Sequence, residues 1–185
     1  MILETPRLRL RRWREGDRPA FAALNADPEV MHDLGGPISR EKSDAKLDRY
    51  AAVFDGHGFG RWVIETPADE FIGYTGVMPA GADHPLGRHH EIGWRLTRAA
   101  WGYGYASEAA ARALEDALQR VGLPEILAYT APDNIRSQAV MARLGLRRDA
   151  GRDFTTANGN APGWNGLVWS AGSDWKASLS VTKGG

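Results

Sequence analysis

Apolar and polar positions alternate with a period of two at 7–11, and later stretches of the first half of the chain are rich in β-branched and aromatic residues. The alternation at 7–11 predicts a half-buried strand, and the stretches 59–66, 71–78 and 88–97 predict three more. The short turn at 67–70 predicts that the second and third of these strands form an antiparallel hairpin. We therefore expect the first half of the chain to build an antiparallel sheet.

Two helices are predicted between these strands. Asp17 is placed to cap a helix that runs to about Asn25. Ser39 opens a second helix, and Gly56 and Gly58 end it. Apolar side chains recur in both at helical spacing, which indicates one buried face on each helix.

The second half of the chain predicts a strand, a helix and a strand in succession. An apolar stripe at helical spacing covers 106–121 and stops at Gly122, and 125–130 is a short apolar strand. Because a helix separates the two strands, we expect them to be parallel neighbours. A further helix is predicted over 134–144, with Gly145 as the residue that ends it.

Two closing strands are predicted near 146–155 and 164–170, with a loop at 157–163 between them. The whole pattern predicts one mixed α/β (α+β) domain over residues 1–175. Residues 176–185 are small and polar, which predicts a loosely held tail.

Charge and composition exclude several classes of protein. The 23 basic and 23 acidic residues give a net charge of +0, so we expect neither nucleic acid nor a membrane as a partner. The chain has no cysteine, which removes disulfides, thiolate metal sites and thiol nucleophiles, and its five histidines lack metal-binding spacing. Residues 1–15 lack the apolar core of a secretory signal, and a cytoplasmic location is expected.

The most informative segment is glycine-rich and leads directly into the central helix. Gly102 and Gly104 let main-chain N–H groups turn inward without a Cβ in the way, and the helix start adds partial positive charge. These features predict a cradle for phosphate or diphosphate, although a tight turn that needs glycine only for its φ angles is the alternative. The segment lacks the lysine of a P-loop, and Ser107 stands where a dinucleotide fingerprint has its third glycine.

This segment is one of several motifs that occur together. Their combination closely resembles the GNAT superfamily of N-acetyltransferases, and the resemblance covers about residues 3–175. It is greatest to the branch of the RimJ/RimL-type ribosomal-protein N-terminal acetyltransferases, for which the opening segment 5–11 is typical. The other motifs are Glu91–Trp94, Trp101–Ala109, Asn134–Ser137 and Leu144–Leu146.

The resemblance implies a mostly antiparallel, splayed sheet flanked by helices, and acetyl-coenzyme A as the co-substrate without a metal. In that family a Gln/Arg-x-x-Gly-x-Gly/Ala loop binds the pyrophosphate through main-chain amides. The loop maps onto 101–106, with Trp101 in the place of the Gln or Arg. The residues that the resemblance implies for cofactor binding are Ile92, Gly93, Trp94, Tyr103, Gly104, Tyr105, Ala106, Ser107, Asn134 and Ser137.

Acetyl transfer needs a neutral amine and a donor for the developing oxyanion. A main-chain N–H near 92–94 could be that donor. Glu91 resembles the strand glutamate that many superfamily members use as a base, with His89 and His90 as alternatives. Strand alternation sends Glu91 and His90 to opposite faces, unless a bulge at Gly93 intervenes.

The departing thiolate also needs a donor. Many superfamily members place a tyrosine seven residues after the asparagine of this helix, but seven residues after Asn134 stands Met141, which cannot donate a proton. Likeness to the RimL branch leaves Ser137 as the candidate, unless Asn134 and Ser137 only cap the helix. That branch can place an acid after this helix, where the chain has Asp149 and Asp153 but no matching glutamate, so the base remains open.

The resemblance implies a primary amine as acceptor: a protein N-terminus, an amino-acid derivative or a small-molecule amine. With no cysteine for an acyl-enzyme, we predict direct attack in a ternary complex, by a monomer or homodimer. A non-catalytic acyl-coenzyme A binding module and a dinucleotide-binding protein are the alternatives. Candidate acceptor-binding residues are His32, Asp33, Arg61, Trp62, Phe154 and Trp164.

Overall fold

A computed structural model describes residues 1–158 and 161–176. Its helices are α1 (Arg18–Ala26), α2 (Arg40–His57), α3 (Tyr105–Glu115, continued by a π-helical turn at Asp116–Arg120) and α4 (Ile135–Arg143). Its strands are β1 (Ile2–Glu4), β2 (Arg9–Arg11), β3 (Arg61–Glu65), β4 (Phe71–Ala80), β5 (His89–Leu96), β6 (Glu125–Thr130), β7 (Arg147–Arg148), β8 (Phe154–Asn158) and β9 (Ala161–Gly172).

The strands form one sheet in the order β1-β2-β3-β4-β5-β6-β9-β7, with β8 on β9. Every pairing is antiparallel except β5 with β6, as the strand–helix–strand pattern predicts. Whereas β5 pairs with β4 along its whole length, it meets β6 at the single register position Glu91 opposite Leu127. The two parallel strands then separate, and the predicted α+β class with a splayed sheet is confirmed.

Apolar clusters cover both faces of the sheet. The alanine-rich face of α3 packs in the larger cluster, where Ala109, Ala110 and Leu114 are fully buried. In the smaller cluster, aromatic side chains of α1 and α2 meet those of β4. The burial of all five residues of β3 follows, because both of its faces are covered. Among the described residues, no helix has the length and apolar character to span a membrane.

The helix ends follow the predicted capping chemistry. The Ser39 hydroxyl accepts a hydrogen bond from the Lys42 N–H at 3.3 Å and begins α2. The Asn134 side chain accepts from the Ser137 N–H at 3.1 Å and begins α4. Gly145 follows α4 with a φ of +69°, the left-handed conformation that ends helices. These predicted boundaries are confirmed to within a residue or two.

The strand predicted over 146–155 is wrong. The chain forms the short β7, a 3-10 turn at Ala150–Arg152, and then β8. The carboxylates of Asp149 and Asp153 are both hydrogen-bonded at this break. Asp149 accepts from the Arg152 side chain at 2.6 Å, and Asp153 accepts from the Val168 N–H at 2.9 Å.

Two other predictions need correction or fall outside the description. β8 and β9 extend into the loop predicted at 157–163, whose central residues 159–160 lie outside the described residues. The predicted tail at 176–185 lies outside them from residue 177 onward. The sequence pattern also did not predict β1, whose three residues pair with β2.

Arg11 departs from the polar-outward alternation of the first strand, since it is buried at 6% exposure. It is buried because helices cover this face of the sheet too. Its guanidinium donates to Asp17 at 2.8 Å and to Glu65 at 2.6 Å, and both carboxylates are themselves buried. Asp17 stands at the N-cap position of α1, but its side chain binds Arg11 and the Arg14 N–H instead of the helix N–H groups.

We predict that Arg11→Ala lowers the free energy of unfolding by about 3–5 kcal/mol, because it leaves two buried carboxylates without their cation. Arg12→Ala is the matched control, since Arg12 is exposed and pairs with the exposed Asp55. It should cost about 1 kcal/mol or less. Urea titrations followed by tryptophan fluorescence measure both. Equal losses in the two variants would refute a central role for the Arg11 pairs.

Candidate functional site

The separation of β5 from β6 opens a main cleft of about 1370 Å³. One wall is the end of β5 at Trp94–Leu96, and the opposite wall is the segment 131–137 that leads into α4. The glycine-rich loop before α3 closes one end. The cleft thus lies at the carboxyl end of the parallel pair, where a helix N-terminus also points.

The loop before α3 has the conformation that its glycines predict. Gly102 and Gly104 have φ angles of +85° and +77°, which side-chain-bearing residues rarely adopt. The Glu108 N–H donates to the Gly104 carbonyl at 3.1 Å, so the N–H groups of 105–107 precede the first intrahelical bond. The buried Ser107 hydroxyl also has no hydrogen-bond partner among the described residues. This arrangement is suited to an anion.

The start of the chain anchors this loop. On the first turn of α3, the Glu108 carboxylate accepts hydrogen bonds from the Thr5 hydroxyl at 2.6 Å and the Arg7 N–H at 3.0 Å. The Arg7 guanidinium also binds it, and lies 4.8 Å from the centre of the Tyr105 ring. The opening segment therefore holds the loop in place and brings a cation beside it.

Two further arginines, Arg136 and Arg143, line the main cleft. Trp101 supports the first of them, because its ring lies 4.4 Å from the Arg136 guanidinium carbon. The Trp101 indole N–H donates to the Leu96 carbonyl at 3.0 Å, which ties the loop to the end of β5. Tryptophan in this slot thus has a structural use of its own, and it supports one of the arginines of the cleft.

A second cavity of about 330 Å³ adjoins the main cleft. Trp94, Ser137 and Trp164 line both spaces, so the two meet at the first turn of α4. The Ser137 side chain has no hydrogen bond to another described residue, because only its N–H is used by the Asn134 cap. Its hydroxyl is therefore free to donate at the junction.

Glu91 lines the second cavity, with both carboxylate oxygens in use. Arg61 donates to Oε1 at 2.9 Å, and the Tyr129 hydroxyl donates to Oε2. Burial raises the pKa of Tyr129, and the charge of Glu91 raises it further, so the phenol remains a neutral donor. Each carboxylate oxygen has a second lone pair, which leaves Glu91 able to accept another proton donor.

Gly93 does not form a bulge, because the register of β4 with β5 is regular across it. The suggestion of a bulge is therefore wrong. A Cβ at Gly93 would lie 3.0 Å from both terminal nitrogens of Arg61, so glycine here makes room for the guanidinium. Arg61 also donates to the carbonyls of Gly76 and Gly93, which links β3 to the next two strands.

His90 faces away from Glu91, as strand alternation predicts: its ring packs 5.6 Å from that of Phe59. Burial lowers the pKa of His90, and nearby histidines lower it further. His89 lies on the Glu91 side, with its ring 4.7 Å from His84 and 5.8 Å from Tyr129. Neither His89 nor His90 lines the second cavity.

Asp33 connects the two walls of the main cleft. Its carboxylate accepts from Arg95 of β5 at 2.8 Å and from the Asn134 side chain of α4 at 3.0 Å. The segment after α1 therefore spans the opening between the separated strands. Asn134 both caps α4 and holds this bridge.

The structure brings most of the predicted binding residues to the two spaces. His32 lines the main cleft and Arg61 the second cavity, whereas Phe154 packs against Trp164 at 5.5 Å behind the lining. Trp62 is not brought to either space, since it is 1% exposed in the core against Phe54. Seven of the predicted cofactor-binding residues line the main cleft: Trp94, Gly104, Tyr105, Ala106, Ser107, Asn134 and Ser137. Ile92 and Gly93 line only the second cavity. Tyr103 is exposed outside both spaces.

Sequence reasoning missed several residues that line the second cavity. Tyr129 and Arg95 lie on predicted strands, but nothing local marks the partners that they find across the sheet. The remaining missed residues are Lys46, Arg49, Tyr50 and Tyr74. Within the ranges that the structure describes, no group of three potential metal-ligating side chains is found.

Known proteins share both the sequence and the fold. Residues 7–147 match the family described as the acetyltransferase (GNAT) domain. The FsC-acetyl coenzyme A-N(2)-transacetylase of Aspergillus fumigatus is 31% identical over 151 residues, which are 78% of this chain and 64% of that protein. The crystal structure of an acetyltransferase from Agrobacterium tumefaciens has a TM-score of 0.77 at 29% identity, over 92% of this chain and 94% of that one.

The ribosomal L7/L12 α-N-protein acetyltransferase RimL, solved in complex with coenzyme A, also has this fold. Its TM-score is 0.75 at 17% identity, over 95% of this chain and 100% of that one. At that identity the likeness shows the arrangement of strands and helices alone.

Proposed function

The chain belongs to the GNAT acetyltransferase family and is an acyltransferase, and from that premise we propose that it transfers the acetyl group of acetyl-coenzyme A directly to a primary amine. The family predicted from the sequence motifs is thereby confirmed. One observation carries the finer proposal: the main cleft and the second cavity meet at Trp94, Ser137 and Trp164. A thioester in the cleft and an amine in the cavity would meet there.

The residues of the main cleft fit a coenzyme A thioester. The N–H groups before the first intrahelical bond of α3 and the partial charge of its N-terminus favour a diphosphate. Arg136 and Arg143 in the cleft add positive charge for phosphate groups. The unpartnered Ser107 hydroxyl offers one more donor. When bound, acetyl-coenzyme A supplies an activated acyl carbon and a thiolate leaving group.

In the proposed reaction, a bond forms between the amine nitrogen and the acyl carbon, and the carbon–sulfur bond breaks. Glu91 accepts the proton that the amine loses, directly or through a water molecule. Beyond Glu91, alternate N–H groups of β5 face the open edge, where no strand pairs with them, and one stabilises the charge that develops on the carbonyl oxygen. The Ser137 hydroxyl donates a hydrogen bond to the departing sulfur, which takes its proton from solvent.

We place the enzyme nearest the RimJ/RimL-type branch. Support comes from the opening segment 5–11, which in this structure anchors the cofactor loop through Glu108. A protein N-terminus, an amino-acid derivative and a small-molecule amine are all compatible with that branch. The cytoplasmic location and the monomer or homodimer state stay predictions.

Release of coenzyme A in the presence of amines tests the proposed function. Because the chain has no cysteine, a thiol-reactive dye reports only the released coenzyme A. We expect thiol release from acetyl-coenzyme A that requires an amine and matches the acetylated product measured by mass spectrometry. Binding of coenzyme A without turnover across a broad panel of amines and peptides would instead support the non-catalytic binding module. Stabilisation by NAD and not by coenzyme A would support a dinucleotide-binding protein.

We predict that Gly104→Val raises the Kd for coenzyme A at least about tenfold, which corresponds to 1.4 kcal/mol. Gly104 has a φ of +77°, and a branched side chain there strains the loop and turns its N–H groups away. Gly81→Val is the control, because a Cβ at Gly81 would meet nothing within 4 Å and the residue lies in another loop. Calorimetric titration measures both. Unchanged affinity in Gly104→Val would remove the loop from cofactor binding.

We predict that Glu91→Gln lowers kcat by a factor of about 10²–10⁴, the usual contribution of a general base. Tyr129→Phe is the companion variant, since it removes a hydrogen bond to Glu91 and keeps the carboxylate. It should lower kcat about tenfold or less. Steady-state kinetics and melting temperatures are compared for the two variants. If Glu91→Gln lost only thermal stability and kept kcat, Glu91 would be a structural partner of Arg61 and not the base.

A further inference from the structure

The second cavity is lined by more positive than negative side chains. Its two acidic residues, Asp33 and Glu91, are each paired with an arginine: Glu91 with Arg61 at 2.9 Å and Asp33 with Arg95 at 2.8 Å. The two carboxylates are thus already neutralised from within the protein. The basic residues that line the cavity are Lys46, Arg49, Arg61 and Arg95.

Lys46 and Arg49 remain as an excess of positive charge. Within the described residues, neither has a carboxylate within 4 Å. The Lys46 ammonium donates a hydrogen bond to the Asn25 amide oxygen at 3.4 Å and lies 5.6 Å from the centre of the Tyr74 ring, 5.7 Å from that of Phe21 and 5.9 Å from that of Tyr50. Arg49 lies over the ring of Tyr50 at 5.5 Å. Both cations lie one turn apart on α2, facing the same cavity.

These charges also act on Tyr74, a buried phenol in the cavity wall. Burial acts to raise the pKa of Tyr74, yet the pKa is lowered, because the positive charges of Lys46, Arg95 and Arg61 outweigh burial. The neighbouring Tyr50 shows the opposite shift, since burial raises its pKa and Tyr74 adds to the rise.

Two N–H groups of the arginines in the cavity wall also lack hydrogen-bond acceptors among the described residues. The Nε–H groups of Arg61 and Arg95 are buried and bind no acceptor among the described residues. Arg61 is itself more than nine-tenths buried, and both arginines line the cavity. A buried donor without an acceptor costs free energy.

From this charge balance we infer that the acceptor is a small amine that also carries an anionic group, a carboxylate or a phosphate. The inference rests on the proposed function. The α2 cations line only the second cavity, whereas Ser137 and Trp94 also line the cofactor cleft. The anionic group thus binds toward Lys46 and Arg49, and the amine lies at the junction. A cavity of about 330 Å³ suits a small molecule.

The same charge assists the chemistry. A protonated amine is repelled by the excess positive charge, so the neutral form that attacks the thioester is favoured in the cavity. An anionic group elsewhere on the molecule offsets that repulsion and supplies affinity. A polyamine has no such group and is excluded on the same grounds.

Matched pairs of amines test the inference. Each ω-amino acid is compared with its carboxamide, and each aminoalkyl phosphate with the corresponding amino alcohol, by thiol release from acetyl-coenzyme A. For at least one matched pair, we expect kcat/KM of the anionic amine to be at least about tenfold higher than that of its neutral partner. This difference should shrink as the salt concentration rises, because salt screens the attraction between charges. The carboxylate and phosphate arms distinguish the two sources of negative charge.

Variants on α2 assign the effect to residues. Lys46→Met and Arg49→Gln should each raise KM for the preferred anionic amine about tenfold, and change KM for its neutral partner by less than about twofold. Lys42→Met is the control, because Lys42 is an exposed lysine one turn before Lys46 that lines neither space. It should leave both values unchanged.

Several outcomes would overturn the inference. Equal or better turnover of neutral amines or polyamines would do so while leaving the acetyltransferase function standing. Turnover of acidic N-terminal peptides without any small amine would refute the small-molecule acceptor. If no amine turned over, calorimetric titration of the matched pairs onto the protein with coenzyme A would still decide, since equal affinity for both members of every pair refutes an anion subsite.

Discussion

β5 and β6 are parallel neighbours at Glu91 and Leu127 and then separate, and the rest of the site is arranged around that separation. A continuous ladder would have used the β5 main-chain groups and left no cleft. Because α3 is the crossover between these strands, its N-terminus lies at the end of β5, where the opening begins. The anion-binding loop, the open strand edge and the first turn of α4 therefore meet at one place.

What holds the separated strands is a set of long-range polar contacts. Asp33 joins Arg95 on one side to Asn134 on the other, and Arg61 joins Glu91 to carbonyls of β4 and β5. These side chains also line the second cavity or its rim. The residues that bridge the separated strands are thus residues that shape the second cavity or its rim, which couples the stability of the sheet to the shape of that cavity.

The fold could be predicted where its determinants are local. Ser39, Asn134 and Gly145 mark helix ends by chemistry within a few residues, and the glycines before α3 mark an anion-binding turn. Contacts between distant residues left no such signal. Arg11 meets Glu65 across 54 positions and Arg61 meets Glu91 across 30, so their burial could not be foreseen from alternation. Gly93 shows the same limit, because glycine is required there by the guanidinium of Arg61, which lies on another strand.

Charge pairing in the second cavity also bears on which amines an enzyme of this kind can use. A cavity that bound amines as ammonium ions would need free carboxylates, yet Asp33 and Glu91 are held by Arg95 and Arg61. The ammonium form is therefore poorly stabilised there, and moving the neutral form into the cavity costs less free energy of desolvation. In the proposed enzyme, selectivity then depends on a second group of the acceptor that reaches Lys46 on α2. Such a cavity selects acceptors by the distance between that group and the amine, and not by the amine alone.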